Sequence, residues 1–413
     1  MSIFLHNSEF AGSHAPCIGA GQGRVIIATI ERAQGDTGIH AHTNALMTGL
    51  HRAGVECELA NPFSAGPKWL PMFAVRKLIL NPVNKTWSLR WYRHWHYAAL
   101  RESLTRALLR RNADAVIAQC PVSARAALEV RRRLKLSFKI AMVCHFNYSE
   151  ATEYRDKGEL KDKKTFERMM KLESLVLRSV DEVIYVSGWA KHVVETDRGI
   201  QPQSSRVIWN GIATATDTPP VRREQIGLSN DDCVLINVGT LEPRKNQISL
   251  LDLFKLLHQK NPQAKLLLVG DGPQRTEIEH KIRQHNLADA VILLGHRTDV
   301  PALLKISDIY LHYSKLENCP VVLLEAARAN LPIAAIPVGG VGEVGEKLGG
   351  ILHLNENDLQ ESVRMIESLL NNPQSRQSLG TQMRAGFEQH FTRDAMVQQY
   401  LDALNLIPAE VTR

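Results

Sequence analysis

IYLHYSKLENCPVVLLEAA, residues 309–327, combines a short apolar run, a polar loop and a helical pattern. The apolar run Ile309–Leu311 is typical of a buried strand. Pro320 fits the first turn of a helix, because the backbone N–H that it lacks would have no partner there. A buried strand followed by a loop and a helix is the repeating unit of parallel α/β proteins, so this stretch predicts an α/β fold.

The same alternation of apolar strands and helical patterns extends in both directions from this stretch. A chain of 413 residues is too long for one ordinary hydrophobic core and indicates two domains. Asn210 and Gly211 form a turn signal, and the polar stretch 214–220 contains prolines typical of a linker. We therefore predict two doubly wound sheets, one within residues 1–212 and one within residues 213–385. Their strands are predicted at residues 24–30, 115–118, 140–144, 182–186, 205–208, 234–238, 265–269, 291–294, 309–311 and 333–336.

Composition narrows the class of protein. Hydrophobic residues make up 44% and charged residues 23% of the chain, as in globular proteins. No apolar run reaches the roughly 18 residues of a membrane-spanning helix, and the start MSIFLHNSEF lacks a signal-peptide pattern, so we expect a cytoplasmic protein. The 6 cysteines show no CxxC spacing, so the sequence predicts neither a disulfide framework nor a zinc site.

Residues 68–111 form a basic and aromatic stretch in a chain of net charge +7. The stretch holds ten Lys or Arg residues and seven Phe, Trp or Tyr residues, and Glu102 is its only acid. Amphipathic aromatics among cations suit the headgroup level of an anionic membrane, which is the partner we prefer. The alternative is a solvated basic helix whose tryptophans pack inward. Nucleic acid is disfavoured, since no RRM, KH or OB pattern accompanies the stretch.

Ligands of doubly wound sheets bind outside the carboxyl ends of the strands, so the residues that follow each strand are candidate site residues. After the strand at 234–238, Arg244 and Lys245 precede a helix that is predicted to begin near Gln247. Arg offers a planar fork and Lys a compact charge to phosphate oxygens, and the helix start adds free N–H groups. The segment therefore predicts a diphosphate site. A solvated surface turn is the alternative.

Two glutamates follow the strand at 309–311. Glu317 lies in the loop before the predicted helix, and Glu325 lies on that helix among Val, Leu and Ala residues. A carboxylate in such apolar surroundings needs a partner. Paired hydroxyls of a sugar or a ribose are suitable, because an ionised carboxylate accepts two hydrogen bonds at once. For Glu325, a structural salt bridge is the alternative.

The two glutamates are separated by seven residues, and this spacing occurs among further landmarks. These are Gly239 and the segments 268–273 (LVGDGP), 294–300 (LGHRTDV), 307–310 (SDIY) and 337–343 (PVGGVGE). The E-x7-E pattern and its setting resemble glycosyltransferase family 4, whose members are retaining transferases of the GT-B fold. The resemblance covers the C-terminal half closely and the N-terminal half more loosely.

The resemblance implies two Rossmann-like domains that face a deep cleft. It also implies a C-terminal helix, in a third segment of residues 386–413, that crosses back to the N-terminal domain. In the N-terminal half, residues 35–38 (GDTG) resemble the glycine-rich turn of the family, and His145 resembles its strand-end histidine near the donor sugar. Members often have Arg where this chain has Thr240, so the phosphate charge would fall to the cations that follow.

The implied function is transfer of a sugar from a UDP- or GDP-linked donor to a glycan or lipid-linked acceptor, as in bacterial cell-surface polysaccharide and lipopolysaccharide synthesis. Glu317 would bind sugar hydroxyls, Glu325 the ribose, and Arg297 would lie near the base. The implied catalytic residues are Glu317, Lys245, Arg244 and His145. The implied substrate-binding residues are Gly38, Arg244, Lys245, Arg297, Asn318, Cys319, Val321, Val322 and Glu325.

No metal or other cofactor is expected. No DxD pattern occurs, and His40 and His42 are two residues apart, which directs them to different faces of a helix. Residues 340–345 match the dinucleotide pattern GxGxxG, but Gly349 and Gly350 leave no room for a full crossover helix. Two further functions stay open on this fold: binding of nucleotide sugars without catalysis, and epimerisation of a nucleotide sugar.

Overall fold

The structure, a computed structural model, describes residues 23–33, 35 and 37–406. The predictions for the chain start, for Asp36 in the glycine-rich turn and for residues 407–413 lie outside the described residues.

The N-terminal half forms a parallel sheet of six strands in the order β2-β1-β3-β4-β5-β6. The strands are β1 (Arg24–Ala28), β2 (Glu56–Ala60), β3 (Ala115–Ala118), β4 (Lys139–Cys144), β5 (Glu182–Tyr185) and β6 (Ser205–Val207). The helices of this half are α1 (Gly38–Arg52), α2 (Leu70–Val75), α3 (Asn81–Val83), α4 (Lys85–Arg110), α5 (Pro121–Leu134), α6 (Glu150–Asp156), α7 (Lys163–Ser179) and α8 (Gly188–His192).

The C-terminal half forms a second parallel sheet of six strands in the order β12-β11-β10-β7-β8-β9. The strands are β7 (Cys233–Val238), β8 (Ala264–Val269), β9 (Val291–Gly295), β10 (Ile309–His312), β11 (Ile333–Ala335) and β12 (Leu352–His353). The helices are α9 (Gln247–Lys260), α10 (Arg275–Gln284), α11 (Val300–Lys305), α12 (Val321–Arg328), α13 (Val341–Lys347), α14 (Leu359–Leu370), α15 (Pro373–His390) and α16 (Arg393–Leu404).

These sheets confirm the predicted α/β fold, and a strand is present at each predicted position. The sequence analysis did not predict β2, because Glu56 and Glu58 alternate with Cys57 and Leu59, so the segment has no continuous apolar run. An edge strand is covered on fewer sides than a central one, so it tolerates this pattern. The strand order reverses between β1 and β3 and between β7 and β10, and such switch points are where doubly wound sheets bind ligands.

The C-terminal helix α16 leaves the second sheet and packs on α1 of the first half. The crossing point is held by Ile212, whose N–H donates to the Phe391 carbonyl at 3.0 Å and whose carbonyl accepts from Arg393 at 2.7 Å. Tyr400 and Leu401 of α16 join a buried cluster that contains side chains of both sheets. The predicted crossing of the C-terminal helix is confirmed.

Gly49 of α1 lies against α16. A Cβ atom at position 49 would lie 2.3 Å from Cγ2 of Val397. We expect Gly49→Ala to lower the free energy of unfolding by about 1–3 kcal/mol, as overpacked core sites do. Chemical denaturation would measure the change, with Thr48→Ala, an exposed position on the same helix, as the control. Equal stability of the two variants would contradict this account of the contact.

Candidate functional site

Arg244, Lys245 and Glu317 form one charged cluster. Lys245 Nζ lies 2.5 Å from Oε1 of Glu317, and Arg244 Nη1 lies 2.8 Å from its Oε2. The cations follow β7 and the glutamate follows β10, and these two strands are neighbours at the switch point of the second sheet. The topology therefore brings together residues that are more than seventy positions apart in the chain.

The cations keep this buried carboxylate ionised. Burial alone would raise the pKa of Glu317, but Lys245 and Arg244 outweigh it and lower the pKa to about 2. Glu317 in turn helps to raise the pKa of Arg244 against the effect of burial. An anion that binds at this point competes with Glu317 for both cations, and its arrival releases carboxylate oxygens for hydroxyl groups.

Glu325 lies on α12 and is half-buried. Burial raises the pKa of its carboxyl, and the charge of Arg328 acts in the opposite direction. Glu325 has no ion pair within 4.0 Å among the residues that the structure describes. The alternative of a structural salt bridge therefore has no partner within 4.0 Å in the described part of the chain, and Arg328 acts on Glu325 only from a greater distance.

His145 follows β4 and faces the residues after β3. Its Nε2 lies 2.7 Å from Oε1 of Gln119, and its ring meets the ring of His42 edge-on at 4.8 Å. Burial, and then the neighbouring His42, hold the pKa of His145 well below its usual value. The imidazole is therefore neutral at pH 7 and offers hydrogen bonds rather than charge. Sequence reasoning missed Gln119, since a lone glutamine after a strand carries no distinctive spacing.

The side chains of Asn318 and Asn210 join the two halves of the chain. Asn318 Nδ2 donates to the Phe146 carbonyl at 3.1 Å, and its Oδ1 accepts from the hydroxyl of Ser187. Asn210 Nδ2 donates to the Cys319 carbonyl at 2.8 Å. The residues after β4, β5 and β6 thus contact the loop after β10, so the carboxyl edges of the two sheets face each other.

His42 connects this junction to the C-terminal helix. Because Asn210 Nδ2 donates to Cys319, its Oδ1 must accept from Nδ1 of His42, at 2.9 Å. His42 Nε2 then accepts from the Tyr400 hydroxyl at 3.2 Å. No sequence pattern signals this chain of hydrogen bonds, because its members come from three distant segments.

We expect His42 to make folding sensitive to acid. Burial lowers its pKa from 6.5 to about 4, although Asn210 opposes the shift. Below the unfolded value the unfolded chain binds a proton that the folded chain does not, so the free energy of unfolding falls as the pH drops. Between pH 7.5 and pH 5, protonation of His42 in the unfolded chain lowers the free energy of unfolding by about 2 kcal/mol. Urea unfolding at the two pH values should show a smaller loss of stability in His42→Gln and the full loss in His192→Gln, an exposed control. The same pH dependence of stability in both variants would refute the prediction.

Glu343 of α13 is a second link between the halves. Its carboxylate accepts from the backbone N–H groups of Gly188 at 2.7 Å and Trp189 at 3.0 Å, and from the indole of Trp209 at 2.6 Å. The carboxylate thus caps the start of α8 from the opposite sheet, where the helix dipole favours negative charge.

The GxGxxG segment serves packing. A Cβ at Gly340 would lie 1.8 Å from the Asn318 carbonyl, so only glycine permits this close approach to the E-x7-E loop. The helix α13 that follows spans seven residues, which is shorter than the crossover helix of a dinucleotide site.

Gly38 and Arg297 lie at other strand ends. Gly38 begins α1 after β1, and no atom of a described residue lies within 4 Å of a Cβ placed there, which leaves space for a ligand. Arg297 follows the edge strand β9 and donates to both oxygens of Asp299, at 2.8 and 2.6 Å. Val321 and Val322 form the start of α12 and are half-buried.

Two family models match this chain. Glycosyltransferase Family 4 matches residues 37–216, and Glycosyl transferases group 1 matches residues 220–385. The chain belongs to glycosyltransferase family 4. This family membership excludes the dinucleotide site that residues 340–345 had suggested. It also explains why the sequence landmarks occur in this order.

The relatives of this family 4 chain act on several acceptors. A 178-residue segment is 31% identical to the GPI3 subunit of the phosphatidylinositol N-acetylglucosaminyltransferase of Saccharomyces cerevisiae, over 42% of this chain and 39% of that protein. A 197-residue segment is 27% identical to the UDP-Gal:alpha-D-GlcNAc-diphosphoundecaprenol alpha-1,3-galactosyltransferase of Escherichia coli, over 45% of this chain and 51% of that protein. The chain thus spans about half the length, or less, of these curated relatives.

Solved structures of GT-B glycosyltransferases share the fold of this family 4 chain. HepE from Anabaena, solved in complex with UDP, matches 93% of this chain and all of its own, with a TM-score of 0.68 and 18% identity. Sucrose-phosphate synthase from Thermosynechococcus elongatus matches 93% of this chain and 98% of its own, with a TM-score of 0.71 and 19% identity. The predicted GT-B fold is confirmed.

In the basic and aromatic stretch of residues 68–111, two of the tryptophans contact the protein. Trp91 donates its indole N–H to the Met72 carbonyl at 2.7 Å, and Trp69 donates to Glu102 at 3.1 Å. These two tryptophans therefore pack against the protein, as the interpretation of an inward-packing helix requires. Within the described residues, no helix is long and apolar enough to cross a membrane.

Proposed function

We propose that this chain is a retaining glycosyltransferase that moves a sugar from a UDP- or GDP-linked donor to a glycan or lipid-linked acceptor, in the assembly of bacterial cell-surface polysaccharide or lipopolysaccharide. The observation that carries the proposal is the cluster of Arg244, Lys245 and the buried Glu317 at the switch point of the second sheet. It supplies two cations for a diphosphate and one carboxylate for a sugar at the same place.

The comparisons support a uridine nucleotide as the first donor to test. HepE has been solved with UDP and with UDP-glucose, and the relative from Escherichia coli is named for UDP-Gal. The same proteins support the assignment to the transferases. Which sugar this chain transfers is left to the donor screen below.

In the proposed reaction the donor diphosphate displaces Glu317 from Arg244 and Lys245. The two cations stabilise the negative charge that develops on the leaving diphosphate, which is the main source of rate enhancement. The freed Glu317 accepts hydrogen bonds from the sugar, and Glu325 accepts them from the ribose. The neutral His145 donates or accepts a hydrogen bond at the sugar. Retention follows if the acceptor attacks from the side of the departing phosphate, which takes up the acceptor's proton. No metal is assigned a part.

The names of two relatives support a lipid-linked acceptor. One carries phosphatidylinositol and the other diphosphoundecaprenol in its name. Such acceptors lie in a membrane, and residues 68–111 are the segment that we propose for peripheral contact with the inner face of the cell membrane.

A thermal-shift screen with UDP, GDP, ADP and their sugar conjugates tests the donor. A ligand that binds only the folded chain raises the Tm by mass action. We expect one nucleotide to stabilise the chain and Glu325→Ala to weaken its binding about 10- to 100-fold, since hydrogen bonds to charged groups contribute about 1.5–3 kcal/mol. Glu356→Ala, an exposed position, is the control. Stabilisation by no nucleotide would contradict the proposal, and binding without transfer would indicate a non-catalytic binding protein.

A further inference from the structure

Exposed large hydrophobic side chains are concentrated in one short segment of the described chain. Eight such residues are exposed, and five of them lie within residues 70–87, which we call the knob. Their exposed fractions are 55% for Leu70, 74% for Leu78, 58% for Ile79, 74% for Val83 and 59% for Trp87. Exposed apolar side chains that are concentrated in one segment indicate an interaction site more than singly scattered ones do.

The knob consists of short helical turns that pack against the long helix α4. Helix α2, a π-helical turn at Arg76–Leu80 and α3 follow one another, and the chain then reverses at Asn84, whose side chain caps α4. Phe73 faces inward, with its ring 4.5 Å from that of His96. Phe73 thus attaches the knob to the domain, whereas Leu78, Ile79, Val83 and Trp87 stay exposed.

Six of the ten cations of residues 68–111 pair closely with acids that the fold brings to them. Glu102 pairs with Lys68 and Arg106, and Glu150 pairs with Arg93. Arg101, Arg110 and Arg111 pair with Glu129, Glu58 and Glu56. Lys85 has no ion pair with a described residue, and Arg90 lies 3.9 Å from Asp162. Attraction to anionic lipid is therefore weaker than the sequence suggests.

We propose that the knob inserts Leu78, Ile79 and Val83 into the interfacial layer of a lipid bilayer. Trp87 and Lys85, next along the chain, suit the headgroup level, where amphipathic rings and cations are favoured. Two observations favour a bilayer as the partner. Exposed apolar residues lie next to Lys85, a cation without a described acidic partner, and a bilayer likewise has an apolar layer beneath charged headgroups. A lipid-linked acceptor would also lie in the bilayer. In this last respect the inference rests on the proposed function. Binding is driven by apolar burial and persists when salt screens the charges.

Vesicle flotation tests the insertion. The probes are phosphatidylcholine vesicles with and without phosphatidylglycerol, each at about 0.1 M and about 0.5 M salt. The higher salt concentration shortens the screening length about twofold. We expect the wild-type chain to float with both lipids at both salt concentrations. The triple variant Leu78→Ser, Ile79→Ser, Val83→Ser should bind at least about tenfold more weakly, since each side chain contributes apolar burial. Lys85→Gln with Arg90→Gln should lose affinity for the anionic vesicles at low salt alone.

The matched control is Leu109→Ser with Leu175→Ser, which removes two equally exposed side chains outside the knob and should float as the wild type does. Loss of wild-type binding at high salt, equal binding of the triple variant, or no flotation at all would each overturn the inference. Self-association that the triple variant abolishes, without vesicle binding, would overturn it in favour of an interface between copies of the chain. Stabilisation by nucleotide should be unchanged in the triple variant, so a failure of the proposed function is distinguished from a failure of the inference.

Discussion

Replacing Lys245 with alanine is expected to lower kcat for sugar transfer about 10²–10³-fold, the usual cost of losing one preorganised group that stabilises transition-state charge. Lys245 Nζ lies 2.5 Å from the buried Glu317, and the Lys245 side chain is itself only 15% exposed, so its charge acts with little screening on whatever anion replaces that carboxylate. Steady-state kinetics with the donor found by the thermal-shift screen would measure the change. Because the charge matters most as the diphosphate departs, kcat should fall more than donor KM rises.

Lys315→Ala is the matched control for this prediction. Lys315 lies two residues before Glu317 in the same loop, but its side chain is exposed. Removing it changes the net charge of the chain by the same amount as Lys245→Ala and leaves the cluster intact. A kcat within about threefold of the wild type is expected, because an exposed charge is screened by water. If Lys245→Ala retained that much activity as well, the assignment of the diphosphate site would be wrong.

Replacing Glu343 with alanine is expected to lower the free energy of unfolding by about 2–4 kcal/mol. The change removes charge-assisted hydrogen bonds to Gly188, Trp189 and Trp209 and leaves their N–H groups without a partner, which costs more than the bonds themselves contribute. Because the lost contacts join the two halves of the chain, donor binding should weaken along with stability. Denaturation and thermal shift with nucleotide would measure both effects.

Glu346→Ala on the same helix is the control, since Glu346 is exposed. It should leave stability and nucleotide binding close to those of the wild type. Glu343→Gln distinguishes charge from shape, because an amide keeps the size of the side chain and one acceptor oxygen. We expect an intermediate loss for Glu343→Gln. Equal stability of Glu343→Ala and Glu346→Ala would show that the link between the halves lies elsewhere.

The sequence by itself determined the α/β class, the two doubly wound sheets and the positions of most strands. These features follow from local patterns, because a buried parallel strand reads as an apolar run and a following helix reads as a longer period. The E-x7-E pattern and its landmarks were sufficient to identify family 4, since they lie in fixed order along one half of the chain. The roles of the individual site residues remain predictions that the variants above would test.

The tertiary structure alone decided which residues meet. Glu317 is held by both Arg244 and Lys245 because β7 and β10 are neighbours, and no local pattern specifies the order of strands in a sheet. The same holds for His42 and Asn210, which lie far apart in the chain and meet only when the two sheets face each other. In residues 68–111, acids from outside the stretch pair with several of its cations, and Trp69 and Trp91 contact the protein, so the exposed apolar side chains of the knob remain at the surface. Burial and pairing depend on long-range contacts, so they are properties of the fold rather than of any segment.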